Sequence, residues 1–250
     1  MPVAEDYGVA DPRLAAPAAL MADRARAAML TALLGGYPLA AGELARLAGV
    51  QPSTASTHLA RLLDGGLVSV TSQGRRRYYA LAGPDVAAAI EALSHLAPAP
   101  PVRGLRQSRQ AAALADARTC YDHLAGRAGV ALLDALLAGR LLAVVHGPSG
   151  GPPSACPAVF EVTAAGSAAL GSFGLDIGQV RQGRRRFAVS CLDWTERRAH
   201  LAGALAAAIT GRLLELGSIE RAPVRRAVRV TEAGQDGLAA TFGWAPSPAG

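Results

Sequence analysis

The sequence predicts a mainly α-helical protein with small β-hairpins (α+β), organised as an N-terminal domain and a longer C-terminal domain. Hydrophobic residues make up 51% of the 250 residues and aromatic residues only 4%, which is typical of Ala/Leu-rich helices packed through small side chains. Apolar residues recur at helical spacing in several segments. Short alternating segments bounded by glycine separate them and predict the hairpins. A chain of this length buries a sizeable core in one large or two ordinary domains.

The charge of the chain comes from an unusual set of basic residues. All 25 of them are arginine, and the formal net charge is +6. Arginine forks match phosphate groups and guanine edges bidentately, so this charge favours a nucleic-acid partner. A GC-rich genome equally explains a complete preference for arginine over lysine. The charge therefore fits nucleic-acid binding without establishing it.

The first part of the chain leads into a recognisable motif. Residues 1–10 have no periodicity and are expected to form a flexible tail. Residues 13–35 carry apolar side chains at helical spacing, which predicts one or two helices. Residues 35–38, with two glycines and a proline, then break the pattern.

Two short helices joined by a glycine turn come next. Residues 43–48 predict the first helix, and Gly49 supplies a turn that a residue with a Cβ atom would resist. Pro52 suits the first position of the second helix, where its missing N–H is not needed. Helical spacing predicts an inward-facing set on this second helix. Its members are Ala55, Leu59, Leu62 and Leu63.

The outer side of the second helix carries short polar side chains at about 100° per residue. Such side chains let a helix backbone lie close to base edges in the major groove, where hydroxyl, imidazole and guanidinium groups meet hydrogen-bond donors and acceptors. The pattern predicts DNA contacts from this helix and from the residue before it. The candidates are Gln51, Ser53, Thr54, Ser56, Thr57, His58 and Arg61.

A β-hairpin follows the second helix. Residues 67–70 predict a strand, residues 71–74 a turn and residues 76–81 a returning strand. Three consecutive arginines lie at or beside the hairpin tip, from which they reach phosphates or a narrow minor groove. These candidates are Arg75, Arg76 and Arg77.

The order helix, turn, helix and hairpin resembles the winged helix-turn-helix repressors of the ArsR/SmtB family. The matching segments are residues 43–45, 50–59, 66–68 and 75–79, and the Ser-x-His-Leu run at residues 56–59 is the most specific part. The resemblance implies sequence-specific binding to double-stranded DNA and repression that ends when a metal, metalloid, oxidant or small molecule binds. The alternative is a winged helix used only for protein contacts.

Residues 84–97 predict a helix that, in the resembled family, commonly completes a dimer interface. Two recognition helices one DNA turn apart, roughly 34 Å, read a palindromic operator together, so a homodimer is expected. The proline-rich run that begins at Pro98 stops this helix. The expected organisation is a tail at residues 1–10, a winged helix-turn-helix domain at 11–97, a linker at 98–104 and an effector-sensing or dimerisation domain at 105–250.

The C-terminal part contains a weak internal repeat. The tetrapeptide His-Leu-Ala-Gly occurs at residues 123–126 and 200–203, each time at the start of an Ala/Leu-rich helical pattern. Residues 159–166 and 228–234 follow, and each predicts a strand running into a short helix. We expect a helical C-terminal domain with winged-helix-like helix and hairpin repeats. Simple convergence on alternating helix and strand is the alternative.

Cysteine and histidine in the repeats indicate a second candidate site. Cys120 and His123 are three residues apart and are predicted to share a helix face, and Cys191 precedes the second repeat in a parallel place. Thiolate and imidazole suit zinc or copper, and clustered thiolates bind a trivalent metalloid or are oxidised. The hypothesis is a metal or thiol sensor at these three residues, with the metal or metalloid itself unassigned.

Two alternatives to a sensor stay open. Free cysteines are commonly small buried hydrophobic residues, in which case these are structural. An apolar effector pocket lined by Tyr121 and Trp194 is the other alternative. The usual inducer sites of the resembled family do not carry over, because residues 37–47 contain no cysteine.

Several protein classes are disfavoured by what the sequence lacks. It has no phosphate-binding glycine motif, Gly-x-Ser-x-Gly elbow or His-Glu-x-x-His motif, so we expect no enzyme and rank a thiol-dependent enzyme as the least favoured alternative. Three cysteines argue against a disulfide framework. The apolar stretch at 129–145 contains Asp134 and Arg140, and no secretory signal is visible at the start. A cytoplasmic protein without a membrane partner is expected.

Overall fold

The computed structural model describes residues 14–97, 104–146, 158–183 and 185–245. The chain divides into two units, the first containing residues up to 33 and 37–86, and the second containing residues 34–36 and those from 87 onward. The expected tail at residues 1–10 and the expected linker, apart from Gly104, lie outside the described residues.

The first unit contains helix, turn, helix and hairpin in the predicted order. Its elements are α1 (Ala15–Ala22), α2 (Arg24–Leu33), β1 (Leu39–Ala40), α3 (Ala41–Ala48), α4 (Pro52–Asp64), β2 (Val68–Gln73) and β3 (Arg76–Leu81). The three strands form an antiparallel sheet in the order β1-β3-β2. In the β2–β3 hairpin Val68 lies opposite Leu81 and Gln73 lies opposite Arg76, so the tip is at residues 74 and 75.

Asp23 and Arg26 fix the corner between α1 and α2. The Asp23 carboxylate accepts the backbone N–H of Arg26 at 2.9 Å, which satisfies a free donor in the first turn of α2. The Arg26 guanidinium donates to the carbonyl oxygens of Leu20 at 2.6 Å and Ala19 at 2.9 Å, the last turn of α1. The hydrogen bond from the Arg26 backbone is the main cause that holds the pKa of Asp23 below its usual range.

The turn between α3 and α4 forms as the sequence predicts. Gly49 ends α3 with φ 67° and ψ 34°, the left-handed region that glycine adopts without steric cost, and Pro52 begins α4. Ala55, Leu59 and Leu62 of α4 are 1% exposed or less. Leu63 is 38% exposed, so its predicted inward position is wrong. It lies about 100° around the helix from Leu62, beyond the stripe that packs inward.

The second unit mixes helices and strands. Its helices are α5 (Pro84–Leu96), which enters it from Ala87 onward, α6 (Leu105–Asp116), α7 (Gly126–Ala138), α8 (Ala164–Ser172), α9 (Ile177–Arg181), α10 (Ala204–Glu215) and α11 (Glu232–Phe242). Its strands are β4 (Arg118–Cys120), β5 (His123–Ala125), β6 (Leu142–His146), β7 (Val159–Val162), β8 (Val189–Leu192), β9 (Ala199–Ala202), β10 (Ile219–Arg221) and β11 (Val228–Val230). The expected helical C-terminal domain is therefore mixed α and β.

The division between the units falls inside α5, before the proline-rich segment at which the sequence placed the boundary. Glu91 of α5 is 2% exposed and accepts a hydrogen bond from the Arg226 guanidinium. Arg226 also donates to the carbonyl oxygen of Thr119 at 3.1 Å. A buried ion pair thus ties α5 to the second unit, a long-range contact that no local sequence pattern reveals.

The order of elements in the second unit repeats once. The series β4-β5-α7-β6-β7-α8 recurs as β8-β9-α10-β10-β11-α11. The prediction that Cys120 and His123 share a helix face is wrong, because they end and begin the two strands of the β4–β5 hairpin. Tyr121 between them has φ 62°, a left-handed conformation that a right-handed helix excludes. The helix begins only at Gly126.

The strands of one repeat pair with strands of the other. Strands β6-β7 of the first repeat and β8-β9 of the second form one antiparallel four-stranded sheet. Strand β11 of the second repeat lies beside β4 of the first, where Arg118 and Ala227 form an isolated bridge. The backbone N–H of Thr119 donates to the carbonyl oxygen of Arg226 at 2.8 Å, and the backbone N–H of Val228 donates to the carbonyl oxygen of Ala117 at 2.9 Å. The common core includes Leu136, Leu170, Leu205, Ile209 and Leu213.

The second hairpin of each repeat leads into a helix through the same threonine cap. The Thr163 hydroxyl accepts the N–H of Gly166 at 3.0 Å at the start of α8, and Thr231 accepts the N–H of Gly234 at 3.0 Å at the start of α11. These matched caps explain the similar sequences Val-Thr-x-Ala-Gly in the two places. None of the described helices combines the length and the apolar character that crossing a bilayer requires.

Candidate functional site

The outer face of α4 presents the polar side chains singled out in the sequence. Six of the seven candidates on or before this helix are exposed. They are Gln51, Ser53, Thr54, Ser56, Thr57 and Arg61. Leu59 and Leu62 on the opposite face are buried, so the helix packs through one side, and its other side is exposed in the part of the chain that the structure describes.

Two hydroxyl groups on this face are already oriented. The Ser56 hydroxyl donates to the carbonyl oxygen of Pro52 at 3.0 Å, and the Thr57 hydroxyl donates to that of Ser53 at 3.3 Å. Since each proton is used within the helix, the lone pairs of the oxygens point outward as acceptors. Cytosine and adenine present amino donors in the major groove that such acceptors recognise.

His58 lies at the edge of the face rather than on it. Its side chain is 15% exposed, and its Nδ1 atom is 3.7 Å from a carboxylate oxygen of Asp23. This places the ring against the corner between α1 and α2. Of the residues predicted on α4, His58 is thus the one that the fold itself partly covers.

The arginines of the hairpin are all exposed. Arg75 lies in the turn after β2, and Arg76 and Arg77 begin β3, where they pair with Gln73 and Ser72. Because consecutive side chains on a strand point to opposite faces, Arg76 and Arg77 project from opposite sides of the hairpin. Tyr79, which is 5% exposed, anchors the same strand in the core.

A second site lies in the second unit, where two hairpins each place a cysteine opposite a histidine. Cys120 pairs with His123 across β4 and β5, and Cys191 pairs with His200 across β8 and β9. One ligand atom from each of the four residues lies within 4.8 Å of the other three. We call these four residues the Cys/His cluster. The structure brings the three predicted residues together and adds His200.

His200 is the member that the sequence analysis missed. The signal for it was present, because His200 begins the second His-Leu-Ala-Gly segment just as His123 begins the first. Spacing along one predicted helix relates Cys120 only to His123. The actual arrangement depends on pairing between strands, in which positions nine residues apart, 191 and 200, lie opposite each other.

The Cys/His cluster is buried. Cys120, His123 and His200 are 2%, 5% and 0% exposed, and Cys191 is partly buried. The two imidazole rings stack with their centroids 5.1 Å apart. Hydrogen bonding with Cys191 and burial raise the pKa of the Cys120 thiol to about 12.

Each histidine of the cluster has a carboxylate beside its Nδ1 atom. Asp122 lies 3.3 Å from Nδ1 of His123, and Asp193 lies 3.6 Å from Nδ1 of His200. The Nε2 atoms of both rings and the Nδ1 atom of His200 are buried and have no hydrogen-bond partner among the described residues, since 3.6 Å is too long for a hydrogen bond. A buried polar atom without a partner is costly, so these three nitrogens require an explanation.

Both carboxylates are neutralised by arginine. Arg185 donates to both oxygens of Asp122, one of them at 3.0 Å. Arg118 donates to Asp193 at 2.9 Å, and both side chains are fully buried. Burial raises the pKa of Asp193, but the charge of Arg118 and the hydrogen bond from Thr195 outweigh it and hold that pKa well below its usual range.

Tyr121 and Trp194 are the residues that the sequence suggests as the lining of an effector pocket, and each of them has a separate contact in the second unit. The backbone N–H of Tyr121 donates to Leu34 at 2.8 Å, and the Trp194 ring lies 4.7 Å from the Arg118 guanidinium carbon. A cavity of about 380 Å³ occurs elsewhere in the second unit, with Ala117, Val228 and Trp244 in its lining. Neither Tyr121 nor Trp194 lines it.

Comparison with known proteins identifies the family. Residues 21–71 match the family model described as a helix-turn-helix domain. The chain is 42% identical over 225 residues to the uncharacterized HTH-type transcriptional regulator YdfF from Bacillus subtilis (strain 168), and this match covers 90% of the chain and 95% of YdfF.

Solved structures that resemble the chain cover about a third of it. HlyU from Vibrio cholerae N16961 is 32% identical to this chain, with a TM-score of 0.31. The match covers 33% of this chain and 88% of HlyU. A homodimeric winged helix-turn-helix fragment of Mb0332 from Mycobacterium bovis, a possible ArsR-family regulator, is 33% identical, with 33% of this chain and 75% of that chain covered and a TM-score of 0.31. The match to YdfF extends through both units, and the chain belongs to the ArsR family of helix-turn-helix transcriptional regulators.

Proposed function

We propose that this regulator binds a palindromic operator in double-stranded DNA as a homodimer, represses transcription there and is released by an effector that binds the second unit. The observation that carries the proposal is the outer face of α4, where Arg61 is exposed together with the oriented hydroxyl groups of Ser56 and Thr57. The effector class is a metal, metalloid, oxidant or small molecule. A protein-interaction module without an effector is the rival function.

The face of α4 supports reading of bases, and the hairpin supports binding to the backbone. Short side chains such as Ser53 and Thr57 let α4 lie deep in the major groove, where Arg61 has the reach to bind a guanine edge. The exposed hairpin arginines carry the positive charge that phosphates attract. This division of tasks makes the predicted effects of substitutions in the two places different.

Exposed apolar side chains support self-association. Helix α1 buries none of its residues although most of them are alanine, leucine or methionine. On α5, Leu93 is 51% exposed and Leu96 is 81% exposed. A homodimer that covers such side chains would gain hydrophobic free energy and present two copies of α4 to one operator. Light scattering should give twice the mass of the chain, and a monomer at micromolar concentration would contradict the proposal.

Fluorescence anisotropy tests DNA binding directly. The reduced full-length protein is titrated onto DNA from upstream of its own gene and onto a random duplex of equal length, at several salt concentrations. We expect tighter binding to the upstream DNA and a linear fall in log affinity with log salt concentration. Affinity without salt dependence would favour the protein-interaction module. Zinc, copper, arsenite and peroxide, added in turn, test for release.

The Arg76→Ala variant should weaken binding to operator and random duplex by similar factors. Arg76 is expected to contact phosphate, which carries no sequence information. Its loss should also make the salt dependence less steep by about one unit of slope. Arg198→Ala serves as the matched control because Arg198 is an exposed arginine of the second unit, where it pairs with Asp134. An unchanged salt slope for Arg76→Ala would remove the hairpin from the interface.

The Thr57→Ala variant should cost about 1 kcal/mol or more, mainly at one base position of the operator. The physical reason is the loss of the acceptor oxygen that the hydrogen bond to Ser53 orients outward. Binding is measured on a set of operators that differ at single positions. Equal losses on the operator and on random duplex would show that Thr57 does not read a base.

A further inference from the structure

We propose that the Cys/His cluster is a zinc site in which Cys120, His123, Cys191 and His200 bind one ion tetrahedrally and join the two repeats of the second unit. The four ligand atoms already lie within 4.8 Å of one another. Tetrahedral zinc bonds of about 2.0–2.3 Å place such ligands about 3.3–3.8 Å apart. Side-chain shifts of about 1 Å or less therefore close the site. This proposal is independent of DNA binding.

The two buried imidazole nitrogens point to a missing partner. Nε2 of His123 and Nε2 of His200 have no hydrogen bond among the described residues, although both rings are almost completely buried. A water molecule between them would need polar partners that two thiols offer only weakly. A metal ion satisfies both nitrogens and both sulfurs at once.

The carboxylates beside the histidines have the arrangement of outer partners in a zinc site. Histidine ligands of metals commonly donate the other ring N–H to a carboxylate, which fixes the tautomer and the orientation of the ring. Asp122 lies within hydrogen-bonding distance of Nδ1 of His123, at 3.3 Å, and Asp193 lies beside Nδ1 of His200 at 3.6 Å, from which a small shift would form the bond. A carboxylate thus lies on the Nδ1 side of each ring, in two different repeats, which supports assignment of the Nε2 atoms as ligands.

The charges balance in the buried site. Binding converts both cysteine thiols to thiolates, and the two protons pass to the solvent. A zinc ion with two thiolates and two neutral imidazoles has no net charge. The nearby carboxylates are already paired, Asp122 with Arg185 and Asp193 with Arg118. The ion therefore adds no unpaired charge to the protein interior, which is the condition for burial.

The nature and number of the ligands favour a structural zinc ion. Sulfur and nitrogen ligands disfavour calcium and magnesium, which take oxygen ligands. Four protein ligands close the tetrahedron, whereas a catalytic zinc keeps one position for water or substrate. The ion would bind the β4–β5 hairpin to the β8–β9 hairpin, so its removal should loosen the contact between the repeats.

Cobalt(II) is the probe for this test, because it replaces zinc and gives visible absorption that depends on geometry. The reduced full-length protein, freed of metal with a chelator, is titrated with cobalt(II) and then with zinc(II). We expect the intense bands of tetrahedral cobalt with thiolate charge transfer, saturating at one equivalent per chain and displaced by one equivalent of zinc. Elemental analysis of the untreated protein should find one zinc ion per chain.

Variants then locate the ion. Cys191→Ser, at the least buried ligand, and His200→Ala should each weaken zinc binding at least 100-fold, whereas Asp122→Asn should weaken it about 10–100-fold through loss of positioning. Cys156→Ser and His146→Ala are the matched controls and should bind as the wild type does. Circular dichroism verifies that each variant is folded.

Three results would overturn the proposal. One is the absence of a tetrahedral cobalt spectrum in the wild-type protein, which no folding defect of a variant explains. Another is an unchanged spectrum in a folded Cys191→Ser variant, which would place the ion elsewhere. The third is binding of copper(I) without binding of zinc(II), which would leave a metal site of another kind. None of these measurements involves DNA, so their failure is distinct from failure of the proposed repressor function.

Discussion

Asp193→Asn is expected to destabilise the second unit by about 3–5 kcal/mol, because it leaves the buried Arg118 guanidinium without a counter-charge. Asp193 and Arg118 are both 0% exposed in their side chains. The Asp193 carboxylate also accepts the backbone N–H groups of Gly126 at 2.7 Å and Thr195 at 2.9 Å. Asparagine keeps the size of the side chain but replaces one acceptor oxygen with a donor.

Urea unfolding followed by tryptophan fluorescence measures this loss, because both tryptophans, Trp194 and Trp244, lie in the second unit. The control is Asp134→Asn, which breaks the exposed ion pair between Asp134 and Arg198 and should cost at most about 1 kcal/mol. Both variants are measured with a chelator present, so that an altered metal affinity does not contribute. Equal losses in the two variants would refute the role given to the buried pair.

Gly234→Ala is expected to destabilise the second unit by about 3 kcal/mol or more through steric overlap with the backbone. A Cβ atom at Gly234 would lie 1.9 Å from the carbonyl oxygen of Ser218, in the turn before β10. That turn is fixed, since Ser218 accepts the N–H of Thr231 at 3.0 Å. The overlap is with main-chain atoms, which cannot move aside as a flexible side chain does.

Gly211→Ala is the matched control for this variant. Gly211 lies inside α10, and an added Cβ atom there meets nothing within 4 Å. Alanine favours the helical state over glycine by about 1 kcal/mol, so this variant should be slightly more stable than the wild type. The same urea titration compares the two. A Gly234→Ala variant as stable as the wild type would contradict this prediction, because it would mean that a Cβ atom fits beside the carbonyl oxygen of Ser218.

The first unit was predictable because its signals are local. Gly49 and Pro52 each fix the backbone at their own position, and the stripe of Ala55, Leu59 and Leu62 depends only on helical spacing. The position of Leu63 was not predictable in the same way. Leu63 lies at the border of the inward-facing stripe, and the width of that stripe is set by the neighbours that pack against α4 rather than by helical spacing alone.

The second unit was predictable only in outline. The repeated tetrapeptide at His123 and His200 correctly indicated parallel elements, but helical spacing suggested that Cys120 and His123 share a helix. Strand pairing places them together instead, across a turn at Tyr121. Their spacing indicates Cys120 and His123, and its parallel place before the second repeat indicates Cys191. His200 follows Cys191 by nine residues and meets it only through the pairing of β8 with β9, which helical spacing does not reveal.

The strand pairing between the two repeats sets the earliest time at which the second unit can complete its fold during synthesis. The partner of Thr119 at the edge of β4 is Arg226, which follows it by 107 residues. At about 5–20 residues per second, the ribosome makes that partner about 5–20 s after β4. Until then the first repeat has an unpaired strand edge, a surface that favours aggregation. The helix-turn-helix unit is complete by residue 86, so it can fold long before the second unit.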